Sequence, residues 1–228
     1  MNNYNLGYAC INKGFSERSK KQRITTNRGM IRRTFLEKGL PYVSELSLAN
    51  CQDLLKILEW NAERDIHFFR LSSGLFPWGS EYAFEELPDY EAIAETLFKC
   101  GLFAEEHDIR ITTHPDHFNK LTSPKESVIQ NTIKDLELHG RMFDLLCLAR
   151  SPVAKINIHV GAAYDDKQMA LDNFCKNFKR LSQAVQSRLT VENDDKPSLY
   201  TDMDIMLEAK HKELALFKMR QLMETQTC

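Results

Sequence analysis

Short apolar runs alternate with long amphipathic stretches along this chain of 228 residues, and that alternation limits the fold more than any other feature. A strand followed by a helix, repeated several times, favours a parallel sheet covered by helices. We predict six parallel strands, at residues 5–10, 67–71, 109–113, 153–160, 189–191 and 204–207. The predicted helices cover residues 46–64, 90–106, 123–148, 167–187 and 210–224. The expected fold class is α/β, with a single domain over residues 1–228.

Composition excludes several broad classes of protein. Hydrophobic residues make up 43% of the chain and charged residues 27%, which is ordinary for a globular protein. No apolar run approaches the roughly 18 residues that a membrane span needs, and the N-terminus lacks the apolar core of a signal peptide. The six cysteines are scattered without a CxxC pair, which favours reduced thiols. We therefore expect an intracellular protein without a membrane partner, cytoplasmic or, in a eukaryote, nuclear.

Three successive predicted strands end on a side chain that can bind metal. These side chains are His114, His159 and Glu192. Because the carboxyl ends of parallel barrel strands open on one face, the three side chains should converge there. Two imidazoles and a carboxylate suit Zn²⁺, Mn²⁺ or Fe²⁺. A single histidine at a strand end is more often a hydrogen-bonded loop residue, but three consecutive strand ends favour a metal site. The remaining histidines are interpreted as structural or surface residues: His67, His107, His139 and His211.

Residues 11–43 lack clean periodicity and hold much of the positive charge of the chain. We call these residues the basic region, because they include only two acidic residues, Glu17 and Glu37, beside nine basic ones. The basic residues are Lys13, Arg18, Lys20, Lys21, Arg23, Arg28, Arg32, Arg33 and Lys38. A solvated basic loop is one interpretation. The other is a phosphodiester substrate, because this region follows the first strand onto the face of the predicted metals. Nearby aromatic residues could stack on bases or simply pack: Tyr8, Phe15, Phe35, Phe76, Trp78 and Phe118.

Several short stretches, taken in order, resemble the ultraviolet-damage endonuclease family. They are LGYACIN (6–12), TTNR (25–28), FRLSS (69–73), THP (113–115), IHVGAAY (158–164), VENDD (191–195) and DIMLEAK (204–210), followed by Lys212 and Glu213. The resemblance covers nearly the whole chain. It implies a TIM-type barrel of the xylose-isomerase kind, a cluster of divalent ions, usually manganese, and incision of double-stranded DNA 5′ to a pyrimidine photoproduct in excision repair.

The resemblance also implies roles for individual residues. Family metal-ligand positions are occupied by His114, His159, Glu192 and Glu208, with Glu192 as the bridging carboxylate. Tyr8 and Asn12 match positions proposed to insert at the damaged dinucleotide, and His117 and Phe118 stand where relatives carry a lesion-probing pair. Asn27 and Arg28, in the matched part of the basic region, are expected to contact DNA. Glu81 stands where relatives often have a histidine and is a further candidate ligand or a surface acid.

The chain departs from the family after Tyr200. Relatives continue there through two more strand–helix units that carry further metal ligands, whereas residues 200–203 lead straight into the final strand. The barrel is therefore expected to be incomplete, with about six strands. This pattern fits an open six-stranded relative with a reduced metal site, the loss of a segment, or an inactive truncated product.

Three functions remain open at this stage. The leading hypothesis is a metal-dependent endonuclease acting on ultraviolet-damaged DNA, with manganese preferred over zinc or magnesium. A DNA-binding relative that has lost catalysis is the first alternative. The second is a sugar isomerase or epimerase on the same kind of barrel, which the dense basic region makes less attractive.

Overall fold

A parallel sheet of six strands forms the centre of the protein in the computed structural model, which describes residues 5–150, 153–159, 161, 164–192, 205–207 and 210–225. Every strand pair is parallel, and the strand order is β5-β4-β3-β2-β1-β6. The strands are β1 (Leu6–Ala9), β2 (Phe68–Leu71), β3 (Arg110–Thr113), β4 (Lys155–His159), β5 (Leu189–Glu192) and β6 (Ile205–Leu207). All six predicted strands are confirmed.

Seven α-helices lie between and after these strands in the described ranges. They are α1 (Lys13–Ser16), α2 (Arg32–Ala62), α3 (Tyr90–Glu106), α4 (Glu126–Leu145), α5 (Lys167–Phe178), α6 (Gln183–Gln186) and α7 (Lys212–Thr225). The helix predicted over 167–187 is two helices, because the chain turns after α5 and Ser182 caps α6 by accepting from the Val185 backbone N–H. None of the described helices is both long and apolar enough to cross a bilayer.

The two faces of the sheet differ sharply in polarity. Alternate strand residues such as Tyr8, Phe69, Ile111 and Ile156 are fully buried in a single hydrophobic core with the helices. Each such side chain contributes about 1.5–3 kcal/mol by leaving water. The strand residues between them lie on the opposite face. They include Phe68 and Arg70 in β2, His159 in β4 and Glu192 in β5. We call this second surface the polar face.

The sheet is not closed into a complete barrel within the described residues. There, β5 pairs only with β4, and β6 pairs only with β1. A TIM barrel has eight strands, so six parallel strands with two edges form an incomplete one. Residues 193–204, which connect the two edge strands, lie outside the described residues.

The second half of the basic region is helical, whereas the sequence predicted no helix before residue 46. Helix α2 begins at Arg32 rather than near residue 46. Its backbone is interrupted at Gly39, whose φ of 63° breaks the helical geometry, and Pro41 follows. Ile31 and Leu36 are about 70% exposed. Because this first part buries so little apolar surface, no helical periodicity marked it in the sequence.

Candidate metal centre

His114, His159 and Glu192 meet at the carboxyl edge of β3, β4 and β5. His159 and Glu192 end their strands in register with each other, and His114 follows directly after β3. The Glu192 Oε1 atom lies 3.0 Å from His114 Nε2 and 3.1 Å from His159 Nδ1. One potential ligand atom from each side chain falls within a group whose members are all within 4.8 Å of one another. The predicted convergence of these three residues is therefore present in the fold.

The carboxylate of Glu192 is held from both sides. Asn157, two residues before His159 on the same face of β4, donates from Nδ2 to Glu192 Oε2. Burial acts to raise the pKa of Glu192, but the hydrogen bond and charge of His114, the charge of His159 and the Asn157 bond together lower it. The side chain therefore stays ionised over a wide pH range, as a metal ligand must.

The orientation of His114 suits a metal ligand. Its Nδ1 atom lies 3.0 Å from the backbone carbonyl of Pro115, which can only accept a hydrogen bond. In neutral His114 the proton is therefore on Nδ1, and the Nε2 lone pair faces the Glu192 oxygen. Two lone pairs at 3.0 Å repel unless the imidazole is protonated or a cation lies between them. A histidine held through its other ring nitrogen by a carbonyl is the usual arrangement of a metal ligand.

These donors fit the divalent ion that the sequence predicts. Two imidazole nitrogens and a carboxylate oxygen are a common set for Zn²⁺, Mn²⁺ or Fe²⁺. The three side chains are 17–33% exposed, so they are neither sealed in the core nor freely solvated. The group can hold a metal ion while leaving room for a further ligand.

The other two predicted ligands are Glu208 and Glu81. Glu208 lies outside the described residues. Glu81 ends a short helical turn, Gly79–Glu81, and forms an ion pair with Arg32 at 3.5 Å. Its side chain is 45% exposed and is not part of the metal-binding group found among the described residues.

Tyr8 and Asn12, predicted to insert at a lesion, are buried in this structure. Tyr8 is fully buried, its ring packs edge-on against Phe69, and its hydroxyl donates to Asn61 at 2.8 Å. Asn12 is 2% exposed, donates to the Tyr8 hydroxyl and caps α1 through the Phe15 backbone N–H. As placed, neither side chain offers a surface to DNA.

His117 and Phe118 lie in the loop after β3 and are open to solvent. Phe118 is 71% exposed, and its ring centre lies 4.0 Å from that of His117. His117 Nδ1 lies 2.9 Å from an oxygen of Asp116. An exposed aromatic pair can stack on bases, and contact of these two residues with DNA stays a prediction.

The two residues predicted to contact DNA from the basic region differ in their surroundings. Asn27 is exposed, and its Oδ1 accepts from Ser72 Oγ at 3.2 Å. The Arg28 guanidinium lies 2.5 Å from the buried carboxylate of Asp53 and donates to the Thr25 carbonyl. Arg28 therefore ties the basic region to α2.

Sequence reasoning missed Asn157, although a signal for it exists. Side chains two apart on a strand share a face, so Asn157 had to lie beside His159. Its amide is oriented in turn by Thr190, whose Oγ1 lies 3.1 Å from Asn157 Oδ1. Any polar residue two positions before a strand-end ligand is a candidate to support that ligand.

Comparison with known proteins identifies the family of the chain. The family described as UV-endonuclease UvdE matches residues 4–198. A UV-damage endonuclease of Schizosaccharomyces pombe is 36% identical over 192 residues, which is 83% of this chain and 31% of that protein. A UV DNA damage endonuclease of Clostridium perfringens is 35% identical over 193 residues, which is 84% of this chain and 43% of that protein. The chain thus spans less than half the length of these curated relatives.

A solved structure supports the same relationship. The crystal structure of SacUVDE matches with a TM-score of 0.73 and 30% identity, covering 85% of this chain and 62% of that chain. This match confirms the predicted incomplete TIM-type barrel. Because the family match extends over most of the sequence and the fold agrees with it, the chain belongs to the UV-endonuclease UvdE family.

Proposed function

We propose that this protein is a metal-dependent endonuclease that nicks double-stranded DNA 5′ to ultraviolet photoproducts in excision repair. The observation that carries the proposal is the position of Glu192 Oε1 between two imidazole nitrogens at the carboxyl edge of the sheet. Relatives named as UV-damage endonucleases that match more than four fifths of the chain support the substrate.

The metal ligands that we propose are His114, His159 and Glu192, with Glu208 as a fourth. Manganese is the proposed ion, with zinc and magnesium as alternatives. A divalent cation bound there supplies positive charge to the phosphodiester and lowers the pKa of a nearby water. Hydrolysis adds the water oxygen to phosphorus and breaks the bond to the 3′-oxygen, which leaves as a hydroxyl.

The chain's own residues prepare this site before DNA arrives. The Pro115 carbonyl fixes the ring of His114, and Asn157 fixes the carboxylate of Glu192. Such outer contacts keep the ligand atoms within a few tenths of an ångström of their working positions. The geometry is therefore set by hydrogen bonds in the sheet and in the loop that follows β3.

The basic region offers a surface for the DNA backbone. A cavity of about 550 Å³ is lined by Lys13, Lys20, Arg23 and Arg28, together with Asn27. This region follows β1 at its carboxyl end, and His117 and Phe118 follow β3 at the same edge. We propose that the basic side chains bind phosphates while Phe118 stacks on the damaged bases, which unstack at a lower cost than intact ones.

A nicking assay tests the proposal directly. Irradiated and unirradiated supercoiled plasmids are each incubated with the protein and Mn²⁺, and the fraction of nicked circles is quantified on a gel. We expect nicking of irradiated plasmid only, abolished by EDTA and in Glu192→Gln. If both plasmids are nicked only at the background level while the protein holds one Mn²⁺ per chain, the proposal is overturned.

The departure from the family pattern after Tyr200 favours one alternative, a DNA-binding protein without catalysis. It predicts salt-dependent binding to duplex DNA with less than one metal per chain. Elemental analysis of metal content, made beside the nicking assay, separates the two functions.

A further inference from the structure

Only some of the aromatic side chains that could stack on DNA reach the surface of the protein. Tyr8, Phe15 and Phe76 are buried, with between 0% and 7% of their surface exposed. Phe118 is 71% exposed and Trp78 is 36% exposed. Phe118 follows β3 and Trp78 follows β2, so both belong to loops that leave the sheet at its carboxyl edge. Trp78 is therefore a second exposed ring in these loops.

Trp78 is held in place although it is exposed. Its backbone lies in the left-handed region, with φ 58° and ψ 26°, which bulky residues avoid. Strain of this kind persists only where the surroundings hold it, and it is concentrated at sites that contact ligands. The far end of the side chain is fixed as well, because the indole Nε1–H donates to the Met30 carbonyl at 3.1 Å.

The indole ring of Trp78 forms part of an existing stack. The ring of Phe35, on α2, lies nearly parallel to it, with the ring centres 5.9 Å apart and 25° between the planes. Phe35 covers one side of the indole, and the exposed surface of Trp78 is open to solvent. A further planar ring, such as a nucleobase, can extend this stack.

The hydrogen bond to Met30 places the indole at the border of the basic region. Gly29, the residue before Met30, lines the cavity of about 550 Å³ that Lys20 and Arg23 also line. Those two cations suit the phosphates of a DNA strand. A strand bound there through its phosphates carries its bases past Trp78.

Arg32 supplies a positive charge beside the indole. Its guanidinium carbon lies 4.9 Å from the centre of the Trp78 ring and 5.2 Å from that of Phe35. The same guanidinium pairs with Glu81 at 3.5 Å, and both charged side chains are nearly half exposed. Because an exposed ion pair contributes little stability, a phosphate can replace the Glu81 carboxylate. A ring for the base and a cation for its phosphate are thus side by side.

We propose that Trp78 stacks on a base that is unstacked from the bound DNA, while Arg32 pairs with a phosphate of the same strand. The inference rests on the proposed action on DNA and adds a base-binding site that uses none of the metal ligands. Every base has a flat π surface, so this contact holds the strand without reading its sequence.

Tryptophan fluorescence tests the contact directly, because the chain has two tryptophans, Trp60 and Trp78. Trp60 is half-buried and packs against Phe15 and Phe217. The probe is a single-stranded oligothymidylate of about eight nucleotides, titrated into each full-length protein in EDTA. We expect it to quench the fluorescence of Trp60→Phe, which retains Trp78. The fluorescence of Trp78→Phe, which retains Trp60, should stay nearly unchanged.

Anisotropy of the labelled oligonucleotide measures the affinity. Trp78→Ala should raise the dissociation constant about 5–100-fold, and Trp78→Phe should raise it less because phenylalanine keeps a ring. Phe98→Ala, a change of an exposed aromatic residue on α3, is the matched control and should leave it unchanged. A role of Trp78 in packing alone predicts a lower unfolding temperature for Trp78→Ala but neither quenching nor a loss of affinity.

Three results would overturn the proposal: no binding of the oligonucleotide, an unquenched Trp78 at saturation, or equal dissociation constants for Trp78→Ala and the unaltered protein. If Trp78→Ala does not fold by circular dichroism, the quenching of Trp60→Phe decides, since that variant leaves Trp78 intact. The titration needs neither metal nor turnover. Quenching without nicking of the irradiated plasmid would therefore contradict the nuclease function alone, and nicking without quenching would contradict the role of Trp78 alone.

Discussion

The amide of Asn157 and the carboxylate of Glu192 are joined by a hydrogen bond between neighbouring strands, and this bond leaves Glu192 Oε1 to the two histidines. One oxygen of the carboxylate is thus fixed by the sheet and the other faces the metal centre. The division of the two oxygens makes Asn157 part of the site although it offers no metal ligand of its own.

Replacing Asn157 with alanine should weaken metal binding. The Glu192 side chain would lose its fixed orientation, and loss of such an outer contact costs about 10–100-fold in metal affinity. Calorimetric titration with Mn²⁺ measures the effect. Thr190→Val, which removes the hydroxyl that donates to the amide oxygen and to the Ile156 carbonyl but leaves the Asn157–Glu192 bond, should cost less, and equal affinities in all three proteins would contradict the assigned role.

Replacing His114 with alanine should remove the stabilisation that Mn²⁺ gives to the folded protein. A ligand that binds only the folded state raises stability by about 2.7 kcal/mol at a concentration 100 times its dissociation constant. The midpoint of thermal unfolding in Mn²⁺ should therefore lie several degrees above that in EDTA for the unaltered protein. For His114→Ala the two midpoints should differ little. His117→Ala, an exposed change three residues away, should keep the full difference.

The sequence predicted the strands and the convergence of the three ligands because both follow from local pattern. A short apolar run marks each strand, and strand ends of a parallel sheet must open on one edge. The burial of Tyr8 could not be predicted from local pattern, since it depends on contact with Asn61, which is distant in sequence. The start of α2 was missed for a related reason, as its exposed first turns carry no apolar stripe.

Arg28 is expected to act mainly on stability. Its guanidinium partners the buried carboxylate of Asp53, and losing a hydrogen bond to a charged group costs about 1.5–3 kcal/mol. Arg28→Ala should therefore lower the midpoint of urea unfolding as well as DNA affinity. Arg23→Ala, which changes an exposed side chain of the same cavity, should lower DNA affinity and leave the urea midpoint unchanged. Identical urea midpoints for the two variants would contradict the role of Arg28 as an anchor.

Phe118→Ala should reduce the preference for damaged DNA. Stacking of one base on an aromatic ring is worth about 1–3 kcal/mol, so the ratio of affinities for irradiated and intact duplex should fall about 5-fold or more. Fluorescence anisotropy with the two duplexes measures that ratio. Because Phe118 is 71% exposed, the variant should unfold at the same temperature as the unaltered protein. A change of exposed Phe98 to alanine, on α3, is the matched control and should leave the ratio unchanged.

His139 should make the protein sensitive to mild acid. It is 1% exposed on α4, and within the described part of the chain neither ring nitrogen has a hydrogen-bond partner. Burial lowers its pKa below the ordinary value of 6.5, an effect that nearby Asp135 opposes and His114 reinforces. The folded state therefore keeps His139 neutral at a pH where the unfolded chain takes up a proton. As the pH falls below 6.5, the free energy of unfolding decreases, with a slope approaching about 1.4 kcal/mol per pH unit.

His139→Leu should remove this dependence, because leucine fills a similar volume and takes up no proton. Near pH 7.5 its stability should equal or exceed that of the unaltered protein, since two buried nitrogens without partners disappear. Urea unfolding in EDTA between pH 5 and pH 7.5 measures the slope without metal binding. His107→Gln changes an exposed histidine at the end of α3 and should keep the slope of the unaltered protein. If His139→Leu loses stability with falling pH as steeply as the His107→Gln control, the acid sensitivity arises from another group.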